Sequence, residues 1–210
     1  MSSSTDLKQL LGNAPSSEAI TAYLAHLRSL VPDASTTPEV KAYPDAVYFN
    51  YFPLGLSLLF KPVNGYKPKT GLARAELKDT DLVLDGIDIY NVPPPKPGAT
   101  PRHKSAYSTY PVESFSIPLV QIPDKSRHDH IEVKPTTSGK DFVSAMGEPD
   151  RKGGGAGPSS GSIGIWCEWA KDGVMVEFGG DESRGPQAWE KGKDAVWKVI
   201  SIFPPSSQGP

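Results

Sequence analysis

Hydrophobic positions along the chain recur with two periods, and these periods predict the secondary structure. Apolar residues at the i, i+3, i+4 and i+7 spacing predict an amphipathic helix over residues 17–31, which Pro32 ends. A second, shorter helix is predicted over residues 138–146, and Gly147 stops it. Runs rich in β-branched and aromatic residues, several with apolar and polar positions in alternation, predict strands at residues 47–52, 56–60, 82–90, 163–169, 174–178 and 195–203.

The predicted elements occur twice in the same order, a helix followed by three strands. In each copy a turn glycine joins the first two strands, and a phenylalanine follows it at the same offset: Gly55 with Phe60, and Gly173 with Phe178. A helix with three strands cannot bury both faces of its sheet alone, so we expect the copies to join edge to edge. The sequence therefore predicts a two-layer α+β fold. It would have a mainly antiparallel sheet of about six strands from two helix-plus-three-strand repeats, with the helices on one face.

Proline-dense segments set the predicted domain organisation. The many prolines of residues 92–111 predict an exposed, partly extended connection. Pro118 restricts the strand pattern of residues 112–123 to a sheet edge, because proline cannot donate a ladder hydrogen bond. The predicted divisions are a first repeat at 1–91, a proline-rich connection with an edge strand at 92–135, a second repeat at 136–204 and a disordered tail at 205–210.

The second copy carries short motifs of a known family. Residues 137–150 form a short helix pattern that ends in a Met146-Gly147-Glu148-Pro149 corner. After a loop come an aromatic strand, Trp166-Cys-Glu-Trp, and a meander strand, Gly173-Val-Met-Val-Glu-Phe. This arrangement resembles one repeat of the β-lactamase-inhibitor-protein superfold, whose unit is similar to that of small lipoproteins of outer-membrane assembly.

The resemblance covers residues 137–203 and reaches residues 17–90 only through the order of elements. The first copy departs from the family pattern, because Val31-Pro32 stands in place of the glycine–proline corner. The resemblance implies a protein without catalytic activity that binds other proteins through its sheet or loops.

The predicted strands and their flanking loops hold more aromatic residues than one face of a small sheet can carry. Some of them must point away from the helices, and tryptophan and tyrosine on an uncovered face favour protein docking because they dominate interface hot spots. Alternatively, residues 92–123 fold back and cover these rings. The predicted partner-binding residues are Tyr48, Tyr51, Trp166, Trp169 and Trp189.

A histidine pair suggests a metal site. His128 and His130 flank Asp129, and two residues apart on a strand they would share one face and could hold a metal ion. A third ligand would have to come from elsewhere, for example His103, and a charged stretch of this kind is more often a solvated connection. This pair defines the alternative function, a small-ligand- or metal-binding enzyme with a cleft between the repeats lined by both histidines and by acidic residues such as Glu168.

Two further motifs have ordinary structural interpretations. Residues 157–161 match Gly-x-Ser-x-Gly, but they lack the preceding strand and following helix of a nucleophile elbow. Cys167, the single cysteine, has no base suggested beside it, so we expect it to serve as a small hydrophobic core residue.

Composition narrows the function classes. The 210 residues include 22 basic and 24 acidic side chains, a balance that gives no reason to expect nucleic acid. One cysteine excludes an internal disulfide and a cysteine-rich zinc site. The start shows no secretory signal, and no window has the length of a membrane span, so we expect a cytoplasmic protein without membrane contact. The leading prediction is a non-enzymatic module without cofactor that binds another protein through an aromatic sheet face, with an inhibitor- or immunity-like role as one form of it.

Overall fold

The structure is a computed structural model, and it divides into two compact units. It describes residues 6–92, 106–121, 127–155 and 164–206. Of these, residues 9–112 form the N-terminal unit. The C-terminal unit contains residues 113–206 together with residues 6–8.

The N-terminal unit contains one α-helix and four strands among its described residues. They are α1 (Glu18–Leu30), β1 (Glu39–Ala42), β2 (Val47–Tyr51), β3 (Leu56–Pro62) and β4 (Leu82–Tyr90). Each strand pairs antiparallel with the strand before it. The helix begins where Ser17 Oγ accepts a hydrogen bond from the Ile20 backbone, and it buries Ile20, Tyr23 and Leu27 as the apolar spacing predicted.

One face of this four-stranded sheet is apolar and buried. Alternate residues of neighbouring strands share a face, and the register places them opposite one another. The pairs across β2 and β3 are Val47 with Phe60, Phe49 with Leu58, and Tyr51 with Leu56. All six are buried, so this face forms the core of the unit.

The C-terminal unit contains two short α-helices and six strands among its described residues. They are β5 (Phe115–Pro118), β6 (His130–Val133), α2 (Gly139–Met146), β7 (Arg151–Gly153), β8 (Trp166–Trp169), β9 (Val174–Phe178), α3 (Ala188–Lys191) and β10 (Trp197–Ile202). Strands β7 to β10 pair antiparallel in chain order, and β5 pairs with β6. At the start of α2 the Ser138 backbone nitrogen and hydroxyl both donate to Asp141 Oδ2, which caps the helix and lowers the pKa of that carboxyl.

The two units repeat the turn between their central strands. Gly55 and Gly173 both adopt the left-handed conformation, with φ of 57° and 64°. The isoleucines that follow lie at equivalent positions of the ladders. Ile89 and Ile87 pair with Leu56 and Leu58, and Ile202 and Ile200 pair with Val174 and Val176.

The predicted fold class was wrong. The described residues form ten strands, eight in one sheet and two in a separate small sheet, with three α-helices, so the protein is mostly sheet. It is not a sheet of about six strands with helices on one face. The prediction missed β1 and β7, which read Glu-Val-Lys-Ala and Arg-Lys-Gly, because these short charged edge strands show no apolar alternation. It also did not anticipate that β5 would pair with β6 apart from the larger sheet.

The turn at Gly55 provides a test of the packing. A Cβ atom there would collide with the backbone of Ser108, Thr109 and Tyr110, whereas one at Gly65 would meet nothing within 4 Å, although its φ is also positive, at 76°. Gly65→Ala should cost only the left-handed strain, about 1–2 kcal/mol. Gly55→Ala should cost about 1–3 kcal/mol more, because the neighbouring backbone must move. Urea unfolding followed by circular dichroism measures both, and equal losses would contradict this packing.

Candidate functional site: the tyrosine groove

A groove of about 700 Å³ lies on the sheet face of the N-terminal unit that is opposite the core. In β2, Tyr48 and Asn50 alternate with the buried Val47 and Phe49, so their side chains leave by this other face. The register places Asn50 opposite Ser57 of β3. We name this site the tyrosine groove, and its aromatic residues are Tyr43, Tyr48, Phe52, Tyr90 and Tyr107.

A buried asparagine organises the floor of the groove. Asn50 is 6% exposed and Ser57 is 3% exposed. Asn50 Oδ1 accepts hydrogen bonds from Ser57 Oγ at 2.8 Å and from Tyr107 Oη at 2.7 Å. Because a buried amide oxygen without donors is costly, these bonds hold the Tyr107 ring in place over the sheet.

The rings pack against one another in fixed orientations. Tyr90 and Tyr107 are stacked, with centroids 3.7 Å apart and planes at 4°. Phe52 meets Tyr107 edge to face at 4.7 Å, and Tyr43 meets Tyr48 in the same manner at 6.3 Å. Tyr43 is 42% exposed, so its ring is available to a ligand without any rearrangement.

Tyr107 belongs to a segment, residues 106–110, that is distant in sequence from the strands of the groove and is hydrogen-bonded to them. The backbone nitrogens of Ser108 and Tyr110 donate to the carbonyl oxygens of Phe52 and Tyr90, both at 2.8 Å. On the other side of this segment the Tyr110 hydroxyl lies 2.8 Å from the hydroxyl of Tyr23, which is buried in α1. Burial raises the pKa of Tyr110 to about 12, so both phenols stay protonated near neutral pH.

The described lining of the groove carries charged side chains of both signs. Asp45 and Asp88 contribute two carboxylates, and Lys41 contributes one ammonium, whose Nζ lies 3.6 Å from a carboxylate oxygen of Glu39. Burial raises the pKa of Tyr107, while hydrogen bonds with the Ser57 and Tyr90 side chains lower it. Tyr107 therefore remains a neutral donor to Asn50.

The structure does not bring the five predicted partner-binding residues together. Tyr48 lines the groove, whereas Tyr51 is 4% exposed and lies in the core. The three tryptophans belong to the other unit. Trp169 is 2% exposed and donates from Nε1 to the Gly147 carbonyl oxygen at 2.9 Å. Tyr51 and Trp169 therefore offer no surface to a partner.

The other two predicted tryptophans are accessible to different degrees. Trp166 is half-buried, and its ring passes over Gly153, where a Cβ would approach ring atoms within 3.0 Å. Trp189 is 43% exposed, with the Lys152 ammonium 5.7 Å from its ring centroid. These two rings stay candidates for contact with a ligand.

The histidine pair is placed at the start of β6. His130 is exposed, and its Nδ1 lies 2.5 Å from Asp129 Oδ1, an interaction that lowers the pKa of the Asp129 carboxyl. Within the described ranges, no three His, Cys, Asp or Glu side chains are grouped so that they could hold a metal ion. His103, the predicted third ligand, and the Gly-x-Ser-x-Gly motif of residues 157–161 lie outside the described residues.

His128 lines a separate cavity of about 500 Å³ in the C-terminal unit, whose lining includes the ion pair of Arg127 and Asp172. Asp172 accepts from the Val120 backbone nitrogen at 2.8 Å and from Arg127 Nη2 at 2.5 Å, and both side chains of the pair are buried. Since both carboxylate oxygens are engaged, Asp172 contributes structure to this cavity and is not a free base. Glu168, named with the histidines for the alternative function, faces Arg151 at 3.4 Å.

Sequence reasoning missed most of the groove. Asn50, Tyr90 and Tyr107 come from three separate segments, and their grouping depends on tertiary structure. One local signal was present, because asparagine is depleted in strands and Asn50 stands between aromatic residues in β2. A polar residue at such a position indicates a functional or hydrogen-bonded face.

Comparisons of the chain with protein-family models, with curated proteins and with solved structures found no match in any of the three. Among the helices of the described residues, none is both long and apolar enough to span a membrane.

The Asn50 hydrogen bonds can be tested by substitution. Asn50→Leu removes the acceptor and leaves two hydroxyls without it, so we expect a loss of about 1–3 kcal/mol in the free energy of unfolding. Tyr107→Phe removes one donor and leaves Asn50 bonded to Ser57, so the loss should be smaller, about 0.5–1.5 kcal/mol. Urea denaturation measures both losses, and an Asn50→Leu variant as stable as the wild type would refute the role of this residue.

Proposed function

We propose that the chain is a non-enzymatic protein-binding module that docks an extended, proline-containing segment of a partner protein in the tyrosine groove. The observation that carries this proposal is the gathering of five aromatic rings in one groove, with the Asp45 carboxylate in its lining. Aromatic-lined grooves suit the polyproline II conformation, because such segments are already extended and lose little entropy on docking.

The fixed geometry of the rings supports recognition of a rigid ligand. Tyr107 is held by stacking on Tyr90 and by its bond to Asn50, so the free protein has already ordered this part of its surface. Binding then costs less conformational entropy than it would with mobile side chains. Tyr43 and Tyr48 supply amphipathic contact area, which is the role tyrosine plays at interface hot spots.

The charge of the groove indicates which residues accompany the prolines. Among the described lining residues, Asp45 contributes a carboxylate, and the ammonium of Lys41 already faces Glu39. An arginine or lysine beside the prolines would pair with the Asp45 carboxylate, and arginine could also stack on an exposed tyrosine ring. The partner segment is therefore basic as well as proline-containing.

The composition of the groove favours binding over catalysis. Its described lining contains no histidine or cysteine, and the Ser57 hydroxyl donates to Asn50, so it has no base to activate it. For the metal-binding alternative, the described residues contain no group of three His, Cys, Asp or Glu side chains that could hold a metal ion. The resemblance of residues 137–203 to the β-lactamase-inhibitor-protein superfold stays a prediction, as does an inhibitor-like role.

Peptide titration tests the groove. A peptide of repeated Pro-Pro-Arg should bind the wild-type chain in isothermal titration calorimetry. Tyr48→Ala and Tyr43→Ala should each weaken binding about tenfold or more, the effect of removing a hot-spot ring. Tyr66→Ala is the matched control, because Tyr66 belongs to the same unit but does not line the groove, so its affinity should equal that of the wild type.

Peptide variants separate this function from its competitors. Replacing the prolines by alanine should abolish binding, and replacing the arginines by glutamate should weaken it because of the Asp45 carboxylate. Failure of the wild type to bind the Pro-Pro-Arg peptide would overturn the proposal. So would tighter binding of neutral oligosaccharides, since tyrosine rings and carboxylates also suit sugars.

A further inference from the structure

A second groove, in the C-terminal unit, has a different chemical character. It has a volume of about 440 Å³ and lies between α2, the inner face of β8 and β9, and the short helix α3 that carries Trp189. We name it the lysine-rimmed groove. Its apolar lining comprises Val143, Ile165, Cys167, Phe178 and Trp189. A volume of this size falls in the range of small-molecule sites.

Close backbone packing builds one wall of this groove. A Cβ atom at Gly192 would collide with the Ile165 side chain, and one at Gly139 would collide with the Gly192 carbonyl oxygen. The Gly139 nitrogen also donates to the Ala195 carbonyl oxygen at 2.9 Å. The start of α2 is thus fixed against residues 192–195, and the groove is a preformed feature of the unit.

Positive charge surrounds the apolar lining. Lys140, Lys152 and Lys193 line the groove, and Glu148 is the one carboxylate that lines it among the described residues. Lys140 has Asp194 at 3.8 Å, but both side chains are exposed, so this pair is weak. The groove therefore offers an apolar interior with a cationic rim.

We propose that the lysine-rimmed groove binds a free amphiphilic carboxylate, with its alkyl chain on the apolar lining and its carboxylate among the lysines. The apolar lining disfavours small, fully hydrated anions, because nothing there would replace their water. The rim disfavours cationic amphiphiles of the same length. This inference does not depend on the tyrosine groove, which lies in the other unit.

Cys167 reports on occupancy of the groove. It is the single cysteine of the chain, and it lines the groove. In the ladder between β7 and β8, Cys167 is paired with Lys152. The pKa of the Cys167 thiol is raised to about 11, because the effect of burial exceeds the lowering by the neighbouring Lys152 ammonium. Because the thiol is unique and borders the groove, its alkylation rate is a site-specific measure of ligand binding.

The alkylation rate of Cys167 also depends on pH. The raised pKa means that the folded protein holds less thiolate than the unfolded chain below about pH 11. At pH 8 iodoacetamide should modify native Cys167 roughly 100-fold more slowly than the urea-unfolded chain. The native rate should rise with pH toward about 11. Equal native and unfolded rates at pH 8 would show that the thiol is not buried as described.

The binding experiment uses dodecanoate below its micelle concentration as the probe, with the intact mass of the alkylated chain as the readout. Dodecanoate should slow alkylation of Cys167 at pH 9 at least tenfold, whereas acetate and dodecyltrimethylammonium should leave it unchanged. Calorimetry with the same three compounds provides an independent measure of binding. Protection by the cationic amphiphile equal to that by dodecanoate would overturn the proposal.

Charge reversal locates the carboxylate. The double variant Lys152→Glu/Lys193→Glu should weaken dodecanoate binding about tenfold or more, with unchanged circular dichroism. Lys171→Glu is the matched control, since Lys171 is an exposed lysine of the same unit that does not line this groove. Tyr48→Ala should bind dodecanoate as the wild type does, which separates the two sites. Wild-type affinity in the double variant would refute the carboxylate position.

Discussion

The structure depends on the alternation of side chains along the strands of each meander. A strand sends successive residues to opposite faces, so a strand that supplies three residues to the core must present the others elsewhere. In β2 the core takes Val47, Phe49 and Tyr51, and Tyr48 and Asn50 therefore reach the opposite face. The left-handed glycine turn that follows fixes the register, and a slip of one residue would exchange the two faces.

Hydrogen bonding then determines what the second face can do. Asn50 and Ser57 are buried polar residues, so they require partners, and Tyr107 supplies the second donor to Asn50. Tyr107 reaches this position because Gly55 leaves room for the backbone of residues 108–110. The hydrogen bond between the Tyr110 and Tyr23 hydroxyls also fixes this segment. This second face is thus a rigid surface of aromatic rings whose buried polar groups, Asn50 and Ser57, are hydrogen-bonded within the protein. Such a surface suits ligand recognition better than catalysis.

Local patterns predicted α1, α2 and the six strands of the two repeats, since these elements have clear periodicity or turn glycines, but they did not indicate α3. The pattern could not reveal β1 or β7, whose residues are short and charged, and the fold class failed with them. Applying the alternation of side chains along each strand would have improved the prediction of the partner-binding residues. Tyr48 and Tyr51 are three residues apart in one strand, as are Trp166 and Trp169, so neither pair can share a face. No local pattern could place Tyr107 beside Asn50, because 57 positions separate them in sequence.

Charge distinguishes the two grooves more clearly than shape does. Among the described lining residues, the tyrosine groove carries charges of both signs, whereas ammonium groups outnumber the single carboxylate of the lysine-rimmed groove, so the latter is the one that opposes cationic ligands. These charges lie at partly exposed positions, where salt screens interactions beyond about 8 Å at physiological ionic strength. The apolar lining around Val143 and Phe178 is not weakened in this way. Affinity in the lysine-rimmed groove thus has a salt-sensitive part from the rim and a salt-resistant part from the lining, and the rim confers selectivity for the sign of the ligand's charge.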